Sequence, residues 1–309
     1  MSKITVIIPC YNEEITIKSV IEDFKEHLPE ATIVVYDNNS TDKTSEIASS
    51  CGVVVKKELR QGKGNVIRTA FREIDSDIYI MVDGDNTYPA KHARELLEPI
   101  LNNEADIVIG DRHSTGAYAK ENKRSLHGFG NNLVKTLINK LFNSDLKDIM
   151  SGYRVMNRRF VKNIPITSDG FEIETEMTLH TLDKKFRIKE IPIEYRDRPE
   201  GSYSKLNTFK DGFRVLKTIL WVFKDYKPLM FFSLLASLFF ILGLCFGIPP
   251  VIEYMQSGYV YKVPSAILAT GLMLISVISL FSGFILDSVV KFHKEQYELK
   301  ILDYELFKK

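Results

Sequence analysis

The chain has 309 residues, enough for one large domain or two ordinary ones. Its 41 lysines and arginines balance 40 aspartates and glutamates, and the formal net charge of +1 excludes a globally basic surface for nucleic acid. With 45% hydrophobic and 26% charged residues, the chain is not intrinsically disordered. Its three widely spaced cysteines exclude a disulfide scaffold and predict no metal cluster.

Strand and helix patterns alternate over the first 110 residues. β-branched runs predict five strands, and helical spacing predicts four helices between them. In chain order these are strand Ile4–Ile8, helix Glu14–His27, strand Thr32–Tyr36, helix Thr41–Ser50 capped by Ser40 or Thr41, strand Gly52–Lys56, helix Asn65–Glu73, strand Ile78–Val82, helix Ala90–Asn102 and strand Asp106–Ile109. This order predicts an α/β fold with a mostly parallel sheet.

Acidic residues follow two of the predicted strands. Asp37 ends the second strand, and Asp83-Gly84-Asp85 follows the fourth. Ligands of parallel sheets bind at the carboxyl ends of the strands, so we expect the three carboxylates to converge. Two carboxylates one residue apart can share Mg²⁺ or Mn²⁺, ions that also bind substrate phosphates and neutralise a departing diphosphate.

Two uncharged stretches of 23 residues, Leu229–Val251 and Pro264–Leu286, lie near the C-terminus. As helices they would be about 34 Å long, enough for a hydrocarbon core of about 30 Å. We expect Pro249 and Pro250 to end or kink the first helix at its far side. The stretches therefore predict two transmembrane helices, and a pair of buried core helices is the alternative.

Basic residues flank both predicted spans and set their orientation. They are Lys210, Arg214, Lys217, Lys224 and Lys227 before the first span, and Lys291, Lys294 and Lys300 after the second. The connecting segment Ile252–Val263 contains a single lysine. The positive-inside rule then places both ends of the chain in the cytoplasm at the cell membrane, and no signal peptide precedes the first strand.

The segment before the first span is amphipathic. Its apolar residues recur at steps of three and four, with lysines between them: Leu206, Phe209, Phe213, Leu216, Leu220 and Phe223. This pattern predicts a helix that lies among lipid headgroups or packs on the preceding domain. From Arg196 to Lys227 the net charge is +4, which favours anionic headgroups or an anionic lipid substrate.

Several motifs carry a family resemblance. Val6-Ile7-Ile8-Pro9-Cys10-Tyr11-Asn12-Glu13, Asp37-Asn38-Asn39-Ser40-Thr41-Asp42-Lys43-Thr44 and Asp83-Gly84-Asp85 occur in this order. They strongly resemble three motifs of the family 2 glycosyltransferases. In the same order, these are the opening motif, the D-(D/N)-x-S-x-D-x-T motif and the metal-binding motif. Gly110-Asp111-Arg112, Ser151-Gly152-Tyr153-Arg154 and Arg198…Gly201…Ser204-Lys205 are similar to later blocks of the polyprenyl- and dolichyl-phosphate sugar synthases. The resemblance runs from Ile4 to about Leu286, and the two spans resemble a bacterial branch of that group.

The resemblance implies a GT-A fold with a Rossmann-like sheet. Together with the patterns of the C-terminal third, it divides the chain into four parts. These are a cytoplasmic catalytic domain (1–204), an amphipathic interfacial segment (205–227), two transmembrane helices (228–290) and a cytoplasmic tail (291–309). It also implies a homo-oligomer, a tetramer in relatives, although no interface can be recognised in the sequence.

The implied reaction is transfer of one sugar from a nucleotide sugar to undecaprenyl or another polyprenyl phosphate, with inversion at the anomeric carbon. The product would serve cell-envelope glycosylation. UDP-glucose or UDP-N-acetylglucosamine is the expected donor, because two-span relatives mostly use UDP-sugars. GDP-mannose as donor, a diacylglycerol lipid as acceptor, a processive synthase and an inactive membrane adaptor are the alternatives. The processive synthases carry a Q-x-x-R-W motif, whereas the single tryptophan here, Trp221, lies in a different context.

The resemblance also assigns roles to residues. The nucleotide would be bound by Pro9, Tyr11, Glu13, Asp37, Lys63, Asp83 and Gly84, and the metal by Asp83 and Asp85. The acceptor phosphate would be bound by Arg112, Arg124, Arg198 and Lys205. Asp148, Asp85 and Arg112 would be catalytic, with Asp148 orienting a substrate or acting as a mild base. Many relatives carry Gln where this chain has Thr87, which leaves the metal shell open, and Glu172 or Glu174 is a candidate contact to the sugar.

Overall fold

The computed structural model describes residues 2–114, 125–170, 172–199, 217–218 and 220–307. The chain forms two compact units, Met1–Gly212 and Phe213–Lys309. Arg124, Lys205 and most of the amphipathic segment lie outside the described residues. Of that segment, residues 220–226 are helical.

The first unit is built on a seven-stranded sheet. Its strands are β1 (Ile4–Cys10), β2 (Thr32–Asp37), β3 (Val54–Lys57), β4 (Ile78–Met81), β5 (Ile107–Asp111), β6 (Arg154–Asn157) and β7 (Ile188–Pro192). The spatial order is β3-β2-β1-β4-β6-β5-β7. All pairs are parallel except those of β6, which runs antiparallel to β4 and β5. The predicted α/β class with a mostly parallel sheet is confirmed.

Helices cover the sheet. In the described part of the first unit they are α1 (Ile17–His27), α2 (Thr44–Ser50), α3 (Lys63–Glu73), α4 (Ala93–Leu101), α5 (Ser125–Phe142), α6 (Arg158–Asn163) and α7 (Ile173–Asp183). A 3₁₀ turn, Ala90–His92, precedes α4. Ile21 and Phe24 of α1 and Leu96 of α4 join Val6 and Ile8 of β1 in one buried cluster. Six of the seven residues of β1 are buried, so this central strand is covered on both faces. A site at the carboxyl ends of the strands would therefore lie next to the end of β1.

Several predicted helix starts are wrong. Helix α1 begins at Ile17 rather than at Glu14, and α4 begins at Ala93, after the 3₁₀ turn, rather than at Ala90. Helix α2 begins at Thr44, three residues later than expected, and neither Ser40 nor Thr41 caps it. The Ser40 hydroxyl instead accepts the Asn12 amide at 3.0 Å, and the Thr41 amide donates to Asn12 Oδ1 at 2.8 Å. The residues chosen as caps therefore join two loops at the carboxyl ends of β1 and β2.

The second unit contains two long helices, α8 (Pro228–Ser257) and α9 (Val263–Phe307). Both are long and apolar enough to cross a membrane by length and composition. Pro249 and Pro250 were expected to end or kink the first helix. They do not end it, because α8 continues to Ser257 and ends before Gly258, at φ 71°, and a kink at these prolines stays a prediction. Helix α9 continues through most of the predicted tail.

Small residues bring α8 and α9 together. A Cβ at Gly247 would lie 3.2 Å from the Ala269 side chain, so the two helices approach closely there. The Ser276 hydroxyl donates to the Ala236 carbonyl at 2.8 Å. Close approach through small residues and hydroxyl bonds is typical of helices that pack in lipid.

Candidate active site

The carboxyl ends of β1, β2 and β4 converge around Cys10. Burial raises the pKa of this thiol, and the nearby carboxylates of Glu13, Asp37, Asp83 and Asp85 raise it further. Cys10 is opposite Asp37 in the register of β1 and β2, and its Sγ lies against Gly84, between Asp83 and Asp85. The expected convergence of the three aspartates is therefore found in the structure. Four acidic side chains at one edge of a sheet predict a ligand that brings positive charge or hydrogen-bond donors.

The loops after β1 and β2 hold each other in place around Asp37. The Asp37 side chain is buried, and its Oδ1 accepts the Ser40 amide at 3.0 Å. The Glu13 amide donates to the Thr44 hydroxyl at 2.8 Å. These bonds fix the loops after β1 and β2 next to Asp37, where the nucleobase is expected.

Pro9 and Tyr11, the other expected nucleobase residues, lie on the same edge. Pro9 is opposite Tyr36 in the register of β1 and β2. Tyr11 follows the last residue of β1 and is 37% exposed, so its ring is accessible to a planar ligand.

Asparagines make the sharp turns at this edge. Asn12, Asn39 and Asn86 have φ angles of 55°, 62° and 61°, in the left-handed region. Asparagine adopts this conformation more readily than most residues because its short amide bonds to the local backbone. Each of the three lies a few residues beyond a strand, where the chain turns back over the sheet.

Lys63 is a buried cation between two carboxylates. Its side chain is 7% exposed, and the ammonium donates to Asp83 Oδ1 and to Glu174 Oε1. Burial alone would lower the pKa of Lys63, but Asp83 and Glu174 outweigh this effect and raise it. Lys63 therefore stays charged at the point where Asp83 faces the site.

Asn38 positions the loop that carries Lys63. Its amide nitrogen donates to the carbonyls of Glu58 and Arg60, both at 2.8 Å, and its Oδ1 accepts the Gly62 amide at 2.7 Å. Asn38 thus links the end of β2 to the first residues of α3.

A second contact fixes this loop from the other side. The Gly64 amide donates to the Asp169 carbonyl at 3.0 Å, and a Cβ at Gly64 would lie only 2.1 Å from the Ser168 carbonyl oxygen. The loop that contains Thr167, Ser168 and Asp169 is in turn held by buried Glu176 of α7, whose carboxylate accepts hydrogen bonds from the Thr167 and Ser168 amides. A side chain at Gly64 would displace this loop or the start of α3.

Asp85 is more buried than Asp83, with side-chain exposures of 7% and 29%. Its Oδ1 accepts the Thr87 hydroxyl at 2.6 Å, and its Oδ2 lies 2.6 Å from Nη2 of Arg198. Burial and the charge of Asp83 raise the pKa of Asp85, against the opposing effects of Arg198 and Thr87. Thr87, at the position where many relatives have Gln, therefore supports Asp85.

Glycines allow other groups to approach this pair of aspartates. A Cβ at Gly84 would lie 2.7 Å from Cys10 Sγ, so only glycine fits between Asp83 and Asp85 without a shift. A Cβ at Gly152 would lie 2.4 Å from Asp83 Oδ2. The Ser151-Gly152-Tyr153 turn therefore lies directly against the carboxylate of Asp83.

The donor set at Asp83 and Asp85 fits Mg²⁺ or Mn²⁺. Across the described residues, no three or more histidine, cysteine, aspartate or glutamate side chains are grouped as metal ligands. Mg²⁺, however, is commonly held by one or two carboxylates, waters and substrate phosphates. Asp83 and Asp85 each already bind a cationic side chain, Lys63 and Arg198, so both carboxylates attract positive charge.

Arg112 and Asp148 form a second charged pair nearby. Nε and Nη2 of Arg112 donate to the two carboxylate oxygens of Asp148 at 2.7 and 2.9 Å. Burial would raise the pKa of Asp148, but Arg112 outweighs this and lowers it. Asp148 is therefore an ionised, doubly bonded partner that fixes the plane of the guanidinium.

Tyr195 packs against Arg112 and against a second tyrosine. Its ring centroid is 5.4 Å from the guanidinium carbon of Arg112 and 5.3 Å from the ring centroid of Tyr88. The Tyr88 hydroxyl accepts the amide of Gly152, the residue that lies against Asp83, at 2.9 Å. Tyr195 and Tyr88 thus form an aromatic wall that reaches from Arg112 to the turn beside Asp83.

The sequence profile of the Glycosyl transferase family 2 matches residues 5–164, slightly more than half of the chain. The chain belongs to this glycosyltransferase family. Glycosyltransferase AglJ of Haloferax volcanii is 31% identical to it over 297 residues, which cover 95% of each protein. A dolichyl-phosphate hexose transferase of the same organism is 30% identical over 219 residues, 71% of this chain and 93% of that protein.

A solved structure shares the fold of this glycosyltransferase. Glucosyl-3-phosphoglycerate synthase from Mycobacterium tuberculosis, solved with Mn²⁺, UDP and phosphoglyceric acid, superposes with a TM-score of 0.57. The identity is 21%, and the match covers 72% of this chain and 78% of that one. At this identity the likeness concerns the fold alone, and it confirms the expected GT-A architecture.

Some site residues of this glycosyltransferase were not identified from the sequence. Tyr195 packs against Arg112, which is distant in the chain, and no local pattern marks it. Asn38 stands in the second of the quoted motifs, but no role was assigned to it there. Glu174 is a candidate contact to the sugar in the sequence, but in the structure its carboxylate accepts a hydrogen bond from the Lys63 ammonium, 111 residues away in the chain. Only the alternation of Glu172 and Glu174 with apolar residues marked this region.

Proposed function

We propose that this glycosyltransferase moves one sugar from a UDP-sugar, UDP-glucose or UDP-N-acetylglucosamine, to the phosphate of a polyprenyl phosphate. The proposed reaction takes place at the cytoplasmic face of the membrane and yields a polyprenyl-phosphate sugar for cell-envelope glycosylation. The names of relatives support a polyprenyl-type acceptor, since one is a dolichyl-phosphate hexose transferase and another, from Pyrococcus furiosus, a dolichol-phosphate mannosyltransferase.

The observation that carries the proposal is the set of cations around the paired aspartates. Lys63 and Arg198 bind Asp83 and Asp85, and Arg112 lies at the other end of the aromatic wall. A reaction between a nucleoside diphosphate and a phosphate brings two anions together, so it needs cations on both. Transfer to an uncharged hydroxyl would need fewer of them and a stronger base.

On the donor side, Asp37 and Glu13 are proposed to bind the nucleobase and ribose, with Pro9 and Tyr11 beside them. Lys63 is proposed to bind the diphosphate, with the Gly84 backbone beside it. Asp83 and Asp85 would hold Mg²⁺ or Mn²⁺, which when bound neutralises charge on the diphosphate leaving group.

On the acceptor side, Arg112 and Arg198 are proposed to bind the phosphate, together with Arg124 and Lys205. A phosphate monoester has a second pKa near 6, so the nucleophile is already largely ionised at pH 7. A strong general base is therefore unnecessary, and Asp148 is proposed to orient Arg112 rather than to remove a proton. In-line attack on the anomeric carbon would invert its configuration.

The second unit is proposed to hold the chain at the membrane where the acceptor resides. Helices α8 and α9 are the proposed spans, with the catalytic domain and both termini in the cytoplasm. The segment 205–227 is proposed to lie among headgroups, and a homo-tetramer is the proposed assembly by resemblance.

The test is a transfer assay with detergent-purified full-length protein. Undecaprenyl phosphate, dolichyl phosphate and diacylglycerol are each incubated with Mg²⁺ or Mn²⁺ and UDP-glucose, UDP-N-acetylglucosamine or GDP-mannose, and the lipids are read by mass spectrometry. We expect a gain of one hexose or N-acetylhexosamine on the polyprenyl phosphates. Asp85→Ala should abolish this gain, whereas Asp75→Ala, a change at an exposed surface ion pair, should not.

The remaining outcomes contradict parts of the proposal. Transfer only to diacylglycerol would refute the acceptor, and transfer only from GDP-mannose would refute the donor. Nucleotide binding without transfer to any lipid would refute the catalytic function.

A further inference from the structure

Asp85 binds a cation of its own chain. Its Oδ1 accepts the Thr87 hydroxyl at 2.6 Å and the Thr87 amide at 3.2 Å. Its Oδ2 lies 2.6 Å from Nη2 of Arg198. Because Thr87 occupies Oδ1, Oδ2 is the oxygen best placed for a metal, and Arg198 lies on that oxygen.

We infer that Arg198 couples metal binding to acceptor binding. In the ligand-free protein its ion pair with Asp85 closes the metal site, and binding of the metal releases Arg198 to bind the acceptor phosphate. This inference rests on the proposed function, because it takes the metal and the phosphate acceptor from it.

Charge makes the two states of Asp85 compete. A Mg²⁺ ion binds about 2.1 Å from its oxygen ligand. A guanidinium nitrogen 2.6 Å from the same oxygen would then share one carboxylate oxygen with a divalent cation. Repulsion between like charges this close is strong in a partly buried site. The metal therefore displaces Arg198, or Arg198 lowers the affinity of the site for the metal.

Arg198 and Lys63 differ in how they can respond. Lys63 is almost fully buried and has Glu174 as a second partner, so it can release Asp83 and remain in the site. Arg198 lies in the irregular segment after β7, and its side chain is 31% exposed. It can therefore turn away from Asp85 without opening the core.

The coupling must act in both directions. If the metal releases Arg198 for the acceptor phosphate, a phosphate that holds Arg198 must raise the metal affinity by the same factor. The donor with its metal would then bind first, and the acceptor second. The ligand-free protein, in turn, would hold a phosphate only weakly.

The test measures Mn²⁺ affinity of the full-length protein in detergent with saturating UDP, by electron paramagnetic resonance of free Mn²⁺. Arg198→Gln should tighten Mn²⁺ binding by about three- to tenfold, because the competing cation is gone. Arg198→Lys keeps the charge and should stay close to wild type. Arg196→Gln is the matched control, since Arg196 lies two residues away and pairs with Asp23 at 3.9 Å.

A second measurement follows farnesyl phosphate binding with and without Mn²⁺ and UDP. Wild type should bind it more tightly in their presence, and Arg198→Gln should lose this difference. Unchanged or weaker Mn²⁺ binding in Arg198→Gln would overturn the inference, as would an equal gain in Arg196→Gln. If Arg198→Gln behaves as expected but wild type transfers no sugar to a polyprenyl phosphate, the proposed function fails while the exchange at Asp85 stands.

Discussion

At the scale of single residues, the site is organised by ion pairs inside the fold. Arg112 pairs with Asp148, and Lys63 pairs with Asp83 and Glu174. A buried charge without a partner is costly, so each carboxylate keeps its cation charged and in place. These pairs hold cationic side chains ready for anionic substrates without prior rearrangement of the core.

The Arg112–Asp148 pair gives a prediction at this scale. Asp148→Asn removes the charge that holds the guanidinium, and we expect the KM for the polyprenyl phosphate to rise and kcat/KM to fall by about 100-fold. The unfolding free energy should drop by about 3 kcal/mol, because Arg112 is left buried without its partner. Steady-state kinetics and chemical denaturation measure the two effects.

Asp75→Asn provides the control for this change. Asp75 is an exposed partner of Arg158, so the same substitution should leave both quantities within error of wild type. A loss of kcat in Asp148→Asn with an unchanged KM for the acceptor would instead identify Asp148 as a base.

Part of this residue-level organisation could be predicted from the sequence. Asp37, Asp83 and Asp85 were recognised because each follows a β-branched strand, and strand ends meet at one edge. The partners of Lys63 and Arg112 could not be predicted, because they come from distant segments of the chain that only the folded sheet brings together. Arg154 is an example. It is fully buried in the structure, although a charged residue in a sequence is ordinarily expected at the surface.

At the scale of elements, α7 and the loop before it support the start of α3. Burial would raise the pKa of Glu176, but the neighbouring His180, with Nε2 3.7 Å from Oε1, and hydrogen bonds from Ser168 and Thr167 outweigh this and lower it to about 2. The loop that Glu176 holds contacts Gly62 and Gly64 on either side of Lys63. One buried carboxylate thus stabilises the position of a cation on another helix.

The pKa of Glu176 predicts how stability depends on pH. In the unfolded chain the pKa of a glutamate is about 4.3. Because the folded value is lower, Glu176 stabilises the fold above about pH 4.3, and this contribution, about 3 kcal/mol, is lost as the pH falls towards 2. We expect Glu176→Gln to lower the thermal midpoint at pH 7 and the difference from wild type to vanish near pH 2.

Circular dichroism melts at a series of pH values test this expectation, with a change at the exposed Glu46 of α2, Glu46→Gln, as the control. A difference between wild type and Glu176→Gln that stays constant from pH 7 to pH 2 would show that the charge of Glu176 does not stabilise the loop.

Prediction of the elements succeeded where side-chain patterns are local. The first five strands were found because their β-branched runs are bounded by polar turns. Strands β6 and β7 were missed. Strand β6, Arg154-Val155-Met156-Asn157, begins with a buried arginine, and β7 has the adjacent charged residues Lys189 and Glu190 in its middle and ends in Pro192. The start of α2 was misplaced because its expected caps bind the neighbouring loop.

At the scale of the whole molecule, a glycosyltransferase unit is followed by two membrane-compatible helices. Helix α9 has 45 residues and is about 67 Å long, more than twice a hydrocarbon core of about 30 Å. Its uncharged part ends at Leu286, and charged residues occur from Asp287 onward. The second half of α9 is therefore expected to extend into the aqueous phase as a helix.

Cysteine labelling in intact cells tests the predicted topology. In a background with Cys51 and Cys245 replaced by serine, Tyr259→Cys in the short connection should react with a membrane-impermeant maleimide from outside. Glu298→Cys in the polar half of α9 should react only after permeabilisation, because the basic flanks of both spans stay in the cytoplasm. Protection at both positions would indicate that α8 and α9 do not span the membrane, and labelling of Glu298→Cys alone would reverse the orientation. Because an internally placed catalytic domain would meet cytoplasmic nucleotide sugars, the orientation also decides whether the proposed donor can reach Asp83 and Asp85.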